Sequence, residues 1–345
     1  LPVKVLPPMK TLISHHEPKN SFSVTIDDLI NDKEFKSLTH SLSKPANNST
    51  KKERVLVTGG FGYIGTHLIN QLLNNHYDVV VLENFTYGDH AYKAYKNHPN
   101  LTLIQGDISN IRDVSKAVKG CDIVIALAAL VGDPACGLDA EETLNLNYES
   151  TKILIESANF YGVKRFVFAS SCSVYGAGDD SILTETSPLN PVSLYAKTRI
   201  LSEEVILDRC GNVEPVILRL STVYGLSPRM RFDLVVNTLC VRAIVNKHFQ
   251  VFGGSQWRPF VHCKDVASAF YLAATKNNAT FEHRIFNLGS ENMNYQLKTI
   301  GKLVSQAVPE ANFEIVAQNE DDRNYKVSFD RIKNELGFTP SYTIE

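Results

Sequence analysis

Apolar and polar positions change rhythm repeatedly along this chain. From Arg54 onward, short β-branched and aliphatic runs ("RVLVT", "DVVVLE", "NLTLIQGD", "CDIVIALAA" and "RFVFASS") alternate with stretches of helical spacing. Among the latter are "YIGTHLINQLLNN", "ISNIRDVSKAVKG" and "NYESTKILIESANFYG". Strands that alternate with helices predict a parallel sheet covered on both faces, an α/β doubly wound architecture. "PVILRLSTVYG" adds a further strand, after which the alternation loosens. Residues 53–225 therefore read as one domain built on this sheet, and 226–345 mainly as a smaller lobe whose chain interleaves with it. Residues 1–52 read differently: "SLSKPANNSTKKE" has linker composition, and "SFSVTIDDLINDKEFKSLTHSL" has room for one short helix capped near Thr25. We expect an extension there that carries no chemistry.

The first turn of the alternating region carries the first chemical signal. "VLVTGGFGYIG" sets Gly59, Gly62 and Gly65 at G-x-x-G-x-x-G spacing between a predicted strand and a predicted helix. In such a turn the first glycine permits the tight bend, the second lets backbone N–H groups approach a pyrophosphate, and the third allows close packing of helix on strand. The helix start then offers its unpaired N–H groups and positive dipole end to phosphates. Tyr63 and Ile64 belong to the same turn. Glu83 closes "DVVVLE", about twenty residues further on, where an acid accepts hydrogen bonds from ribose hydroxyls and repels a 2′-phosphate. No arginine follows it in "LENFTYG", so NAD is favoured over NADP. Asp107 and Ile108, in "QGDI", fall where a third strand ends; Asp107 is placed to meet the adenine edge, or equally to cap the next helix.

In "SLYAKTRILSEE" a tyrosine precedes an arginine by four residues, just over one helical turn, so Tyr195 and Arg199 share a face. Lys197 points roughly the other way. A phenol beside a fixed cation has the makings of an acid/base device.

Taken together and in order, these segments resemble the extended short-chain dehydrogenase/reductase family, the NAD-dependent nucleotide-sugar epimerases and dehydratases. The resemblance runs from about Arg54 to the end. It covers "TGGFGYIG", "GDI", "LAA" (Leu127, Ala128, Ala129), "ASSCSVYG", "YAKTR", "GGSQWRPFVHCKDVA" and "DDRNYKVSFD". It implies a Rossmann-type sheet with a C-terminal substrate-binding lobe, and a tightly held NAD that oxidises a sugar carbon and often returns the hydride. Tyr195 matches the family's tyrosine base, and Ser171 the serine or threonine that shares its hydrogen bond. Arg199 stands where the family has a lysine that lowers the tyrosine's pKa and holds the nicotinamide ribose. A tyrosine of ordinary pKa, ~10, is a poor base at neutral pH, so nearby positive charge must favour the phenolate. Arginine keeps its charge but is bulkier and planar. Asn147 matches an asparagine that braces this neighbourhood. Arg258 and Arg323 match contacts to the sugar-nucleotide diphosphate, a task suited to bidentate guanidinium pairing; Cys172 and Asn237 are further candidates to face the substrate.

The chain also departs from the family. Dehydratase members follow the serine or threonine with an Asp-Glu pair, whereas this sequence has Cys172 and Ser173, which argues against dehydration. Pro259 follows Arg258 where aspartate is usual. The leading expectation is a nucleotide-sugar epimerase, most simply one that inverts C4 of a UDP-hexose. The alternatives are a reductase of NDP-4-keto-6-deoxy sugars and an NAD- or sugar-nucleotide-binding protein impaired in catalysis at Arg199. Family members commonly pair through two helices per subunit. A homodimer is therefore expected, with the helices near 140–160 and around Tyr195 as candidates; Leu194, Ile200, Leu201, Val205 and Ile206 give the latter broad apolar coverage.

Composition narrows the setting. The 345 residues are 43% hydrophobic and 21% charged, with a formal net charge of −2, ordinary for a soluble globular protein and no support for a nucleic-acid or acidic-membrane surface. No run of about 18 apolar residues predicts a membrane helix. "LPVKVLPPMK" lacks the apolar core of a signal peptide, and either end of the chain is open to truncation. Six cysteines stand far apart without metal-ligand spacing, so we expect reduced buried thiols in a cytoplasmic protein, no metal, and N-x-S/T triplets at Asn47, Asn48 and Asn278 that occur by chance.

Overall fold

The structure is a computed structural model that describes residues 53–276, 281–317 and 323–345. The expected short helix near Thr25 and the triplets at Asn47, Asn48 and Asn278 lie outside the described residues.

The apolar runs form the strands of one seven-stranded sheet. They are β1 (Arg54–Thr58), β2 (Asp78–Glu83), β3 (Leu101–Gln105), β4 (Ile123–Ala126), β5 (Arg165–Ser171), β7 (Glu214–Leu220) and β11 (Ile285–Leu288), β6 and β8–β10 lying outside this sheet. Every neighbouring pair is parallel, in the spatial order β3-β2-β1-β4-β5-β7-β11. The two-residue period of a strand sends alternate side chains to opposite faces. Val55, Val57, Val79, Val81, Ile123 and Ile125 enter one apolar layer, while Leu56, Val80, Leu82, Val124 and Ala126 enter the other. The first layer is covered by α1 (Gly65–Asn74) through Leu68, Ile69, Leu72 and Leu73, together with a late helix, Cys263–Thr275. The second is covered by α2 (Ile111–Val118), by the helix that ends at Phe160 and by the helix that carries Tyr195.

The connection after β4 is built from α3 (Asp133–Leu138), α4 (Ala140–Leu144), a single π-helical turn over Asn145–Glu149, and α5 (Ser150–Phe160). The next helix, α6 (Leu194–Arg209), begins where Ser193 accepts a hydrogen bond from the Ala196 N–H (3.2 Å), a cap worth about 1 kcal/mol. α5 and α6 pack side by side, and on them Phe160 is 81% exposed, Leu207 41% and Leu201 38%, whereas Val205 and Ile206 face inward.

Beyond Gly225 the chain divides its service. The late helix and β11 return to the large sheet, while α7 (Val235–Asn246), β9 (His248–Phe252), β10 (Trp257–His262) and its successors build a smaller lobe. With the Cys263–Thr275 helix as α8 and Leu297–Ala307 as α9, that lobe centres on Val236, Leu239, Phe249, Val251, Ile300 and Val304. Strand β9 pairs in parallel with β13 (Asn312–Val316), and Phe249 stacks on Phe313. Strand β10 pairs with β8 (Thr222–Tyr224) and β12 (Asn294–Gln296), and a two-stranded ladder joins β14 (Asn324–Val327) to β6 (Ala177–Leu183). Among the described residues no helix is long and apolar enough to cross a membrane, and no group of metal-ligating side chains is assembled.

In the large sheet the chain leaves β1 for β2 and β3 on one side, then returns to β4 and onward on the other. Such a switch opens a crevice at the carboxyl ends of the strands. The smaller lobe stands over this crevice and leaves a cleft of about 1190 Å³.

Candidate active site

One end of the cleft is made almost wholly of backbone. Gly59 adopts φ +66°, and a Cβ there would come 2.9 Å from Ala128 Cα. A Cβ on Gly65 would lie 2.6 Å from the carbonyl oxygens of both Gly59 and Gly60. At Gly62 the added carbon would meet only the Gly59 oxygen, at 3.1 Å, with open cleft beyond. The turn is thus closed toward the protein and bare toward the cleft. No side chain caps α1 at Ile64; in its first turn the Thr66 and His67 N–H groups bond the Gly62 and Ile64 carbonyls, and the positive end of the helix faces the cleft at Gly65.

Glu83 stands at the end of β2 with its carboxylate held on both oxygens. Oε2 accepts from the Phe61 N–H and Oε1 from the Phe85 N–H, each at 3.2 Å. Asp107 accepts from Asn84 Nδ2 (2.9 Å) and from the N–H and hydroxyl of Ser109. Burial would raise its pKa, but these bonds outweigh it and hold the carboxyl below its usual range. The cap of α2 is Asn110, so Asp107 does not cap that helix. Ile108, Leu127, Ala128, Ala129, Tyr63 and Ile64 also line this end.

Tyr63 has a second task. Its hydroxyl donates to the Gly225 carbonyl (2.6 Å) and accepts from Asn237 Nδ2 (3.0 Å), while burial pushes its pKa up, so it stays a neutral phenol.

The Ser171 and Tyr195 side chains line the middle of the cleft together with Arg199. Ser171 ends β5 and accepts from the Ser173 N–H (3.2 Å). On α6 the spacing of four sets the Arg199 guanidinium 5.3 Å from the centre of the Tyr195 ring, and its other contact is the Phe168 ring at the same distance. Arg199 is only 2% exposed; one nitrogen donates to the Ala169 carbonyl (3.2 Å), while Nε and Nη2 are buried without a partner. Burial lowers its pKa from the arginine value, and Tyr195, Cys136 and Glu203 oppose that. Behind α6 the π-helical turn carries Asn147, fully buried, whose amide bonds both the N–H and the carbonyl of Leu130 at 2.9 Å. Lys197 is exposed.

At the far end, Arg258 and Arg323 both line the cleft. Arg323 pairs with Asp133 (2.7 Å), and Arg258 donates to the carbonyls of Trp257 and Arg323. Two expected substrate contacts are corrected. Cys172 turns away from the cleft into the short 3₁₀ turn after β5, where it is fully buried and its Sγ bonds the Arg219 carbonyl (3.2 Å). Burial pushes this thiol's pKa up to about 12, so it is neither a ligand nor a proton shuttle. Asn237 does not line the cleft; its amide is spent on Gly225, Tyr63 and the Arg231 carbonyl.

The sequence reading passed over several cleft residues. Arg229 and Arg231, in "SPRMRFD", both line the cleft, with Arg231 paired to Asp233. Two arginines in a short loop were the available signal.

Residues 55–289, more than half of the chain, match the family described as "NAD dependent epimerase/dehydratase family". The chain belongs to this family. Its cofactor is NAD, which the residues present fit: a glycine cradle that a Cβ would fill, a helix N-terminus with no side-chain cap, and an acid at the end of β2. Among this epimerase/dehydratase's relatives, a putative UDP-glucose 4-epimerase of Methanocaldococcus jannaschii is 31% identical over 68% of this chain and 76% of its own length. A dTDP-D-glucose 4,6-dehydratase of Mus musculus is 28% identical over 84% of each chain. The crystal structure of the UDP-glucuronic acid 4-epimerase from Bacillus cereus, in complex with UDP-glucuronic acid and NAD, superposes with a TM-score of 0.77 at 25% identity, covering 84% of this chain and 95% of that one.

Proposed function

We propose that this chain is a nucleotide-sugar 4-epimerase, most simply acting on a UDP-hexose through a transient 4-keto sugar. The observation that carries the reading is the composition of the cleft wall at Ser171. The side chains of Ser171, Tyr195 and Arg199 line it, and no carboxylate follows Ser171, because Cys172 is buried and its neighbour is Ser173. Elimination of water from the sugar needs an acid and a base at that point, which the chain does not supply there. Removal of a hydroxyl proton needs only the phenol.

In this reading Tyr195 accepts the proton of the sugar C4 hydroxyl and later returns it. Ser171 shares the hydrogen bond and fixes the hydroxyl. Arg199 keeps a positive charge 5.3 Å from the centre of the Tyr195 ring. Arg258 and Arg323 hold the nucleotide diphosphate, which leaves the sugar free to present either face of C4. NAD, when bound, supplies the hydride acceptor and then the donor, so no net redox change occurs. The names of the curated relatives favour a UDP-sugar.

The test is incubation of the purified protein with UDP-sugars and no added cofactor. Epimer formation supports the reading. Turnover that needs added reduced cofactor and a 4-keto sugar makes the chain a reductase instead. Bound ligand without turnover across a broad sugar panel makes it a binding protein, a reading favoured by the unpaired Nε and Nη2 of Arg199. Tyr195→Phe is expected to cost a factor of about 10²–10⁴ in turnover while NAD stays bound; undiminished turnover would remove Tyr195 from the mechanism.

A further inference from the structure

The cofactor end of the cleft has an electrostatic gap. Among the described residues that line the cleft from Gly59 to Tyr195, none is lysine, arginine or histidine, although a pyrophosphate must sit there. Among the described residues the cleft cations come from Arg199 onward: Arg199, Arg229, Arg231, Arg242, Arg258 and Arg323. Three of these are engaged elsewhere: Arg231 with Asp233, Arg323 with Asp133, and Arg199 against Phe168 and Tyr195.

Arg229 is the one brought to the cofactor side. Its guanidinium lies 3.7 Å from the centre of the Tyr87 ring, in the loop that follows Glu83. Three residues on, His90 Nε2 hydrogen-bonds the Pro228 carbonyl (3.1 Å), so the loops 84–90 and 226–231 are joined at two points across the cleft. Both ends of this connection are anchored. Phe85 holds a left-handed backbone (φ +57°) against the Glu83 carboxylate. The opposite loop is bonded to the glycine turn and α1 by Ser227 Oγ to the Tyr63 carbonyl (2.7 Å) and by His67 Nε2 to the Leu226 carbonyl (3.0 Å). Tyr87 is 58% exposed, so packing alone does not require it there.

We propose that Arg229 and Tyr87 form a strap over the cofactor end of the cleft, in which the guanidinium meets the pyrophosphate of NAD and the joined loops must part before the cofactor leaves. A guanidinium held over an aromatic ring is preorganised to meet phosphate oxygens. The strap makes NAD a resident group. It rests on the NAD site and not on the epimerase reading, so the measurement is release of cofactor rather than turnover.

The test compares wild type with Arg229→Met and Tyr87→Leu, each loaded with NAD. Cofactor release is followed by chasing with a fluorescent NAD analogue, and urea midpoints serve as the control for folding. Each variant is expected to release NAD about tenfold faster or more, with Tyr87→Leu folding normally because its ring is largely exposed. Release within twofold of wild type in either variant overturns the strap: if Tyr87→Leu alone is silent, Arg229 acts only as a charge, and if both are silent, Arg229 serves the sugar nucleotide. The second case is read from weakened UDP binding.

Discussion

Helix α6 carries Tyr195 and Arg199, and what fixes it to the sheet is a buried ion pair one turn further along. Glu203 and Arg219 are each 3% exposed. Arg219 Nε donates to Glu203 Oε1 (3.0 Å) and Nη2 donates to Oε2 (2.7 Å), a bidentate pair from β7 to α6. Ser170 Oγ donates to the same Oε1 (2.5 Å), and Arg219 Nη1 reaches the Tyr175 hydroxyl (3.0 Å), which donates in turn to Asn287 (2.7 Å). Glu203→Leu strands the guanidinium in the interior with Nε and Nη2 unpaired, and leaves Ser170 without its acceptor. Breaking a buried pair in this way costs about 3–5 kcal/mol, a large share of a total stability of about 5–15 kcal/mol. Arg219→Met exposes the carboxylate to the same loss. Replacing both with apolar side chains removes two desolvated charges at once, so the double variant is expected to cost no more than either single one. The resulting coupling is about 3 kcal/mol or more. Urea unfolding reads each corner of the cycle as a midpoint shift at constant slope. Additive losses, or single losses below about 1 kcal/mol, would refute the reasoning, because the pair would then not act as one buried unit.

Other expectations are shorter to state. Arg199→Lys keeps the charge and removes two buried unpaired donors, each a burden of about 1–3 kcal/mol. We expect turnover to rise several-fold and the urea midpoint not to fall; a drop in initial rate would mean that the site is built around the guanidinium stacked on Phe168 and Tyr195. His67, 8% exposed, has its pKa lowered by burial from 6.5 to about 4. The unfolded chain therefore takes a proton here below about pH 6.5 and the folded chain only near 4, so the stability this histidine contributes is complete above 6.5 and is lost as pH falls toward 4. Between pH 7.5 and 4.5 that loss is about 2–3 kcal/mol. His67→Gln should lose that much less in urea unfolding at the two pH values, and equal losses would count against the burial argument.

Much of this architecture was legible because it is local. Unbroken apolar runs such as "DVVVLE" become strands with alternate residues in two opposite layers, and the spacing of glycines 59, 62 and 65 becomes a cradle because each closes on a neighbour within the same turn. The separation of Tyr195 and Arg199 by four residues becomes a ring–guanidinium contact for the same reason. What was illegible depends on the direction of a side chain at an irregular turn or on partners far apart in sequence. Cys172 follows Ser171 directly, but the 3₁₀ turn rotates it into the core, so adjacency to a cleft residue predicted nothing about facing the substrate. Asn237 lies beside the cleft, yet its amide serves the backbone of the loop that begins at Gly225. Tyr87 and Arg229 meet only because the smaller lobe stands over the sheet.

The position of Arg199 gains a physical meaning from this distinction. By sequence it is a single replacement, cation for cation. In the folded chain the guanidinium lies 5.3 Å from the centres of the Phe168 and Tyr195 rings, while its Nε and Nη2 have no hydrogen-bond partner. A site selected for a guanidinium would be expected to place acceptors around the fork, as β7 and α6 do for Arg219 through Glu203. The contrast between two buried arginines, one fully paired and one with a single carbonyl partner, locates the chain's departure from its family in hydrogen bonding rather than in charge. A positive charge beside Tyr195 therefore survives the replacement, and under the proposed reading the part put at risk is the hold on the nicotinamide ribose that the family resemblance gives to a lysine at this position.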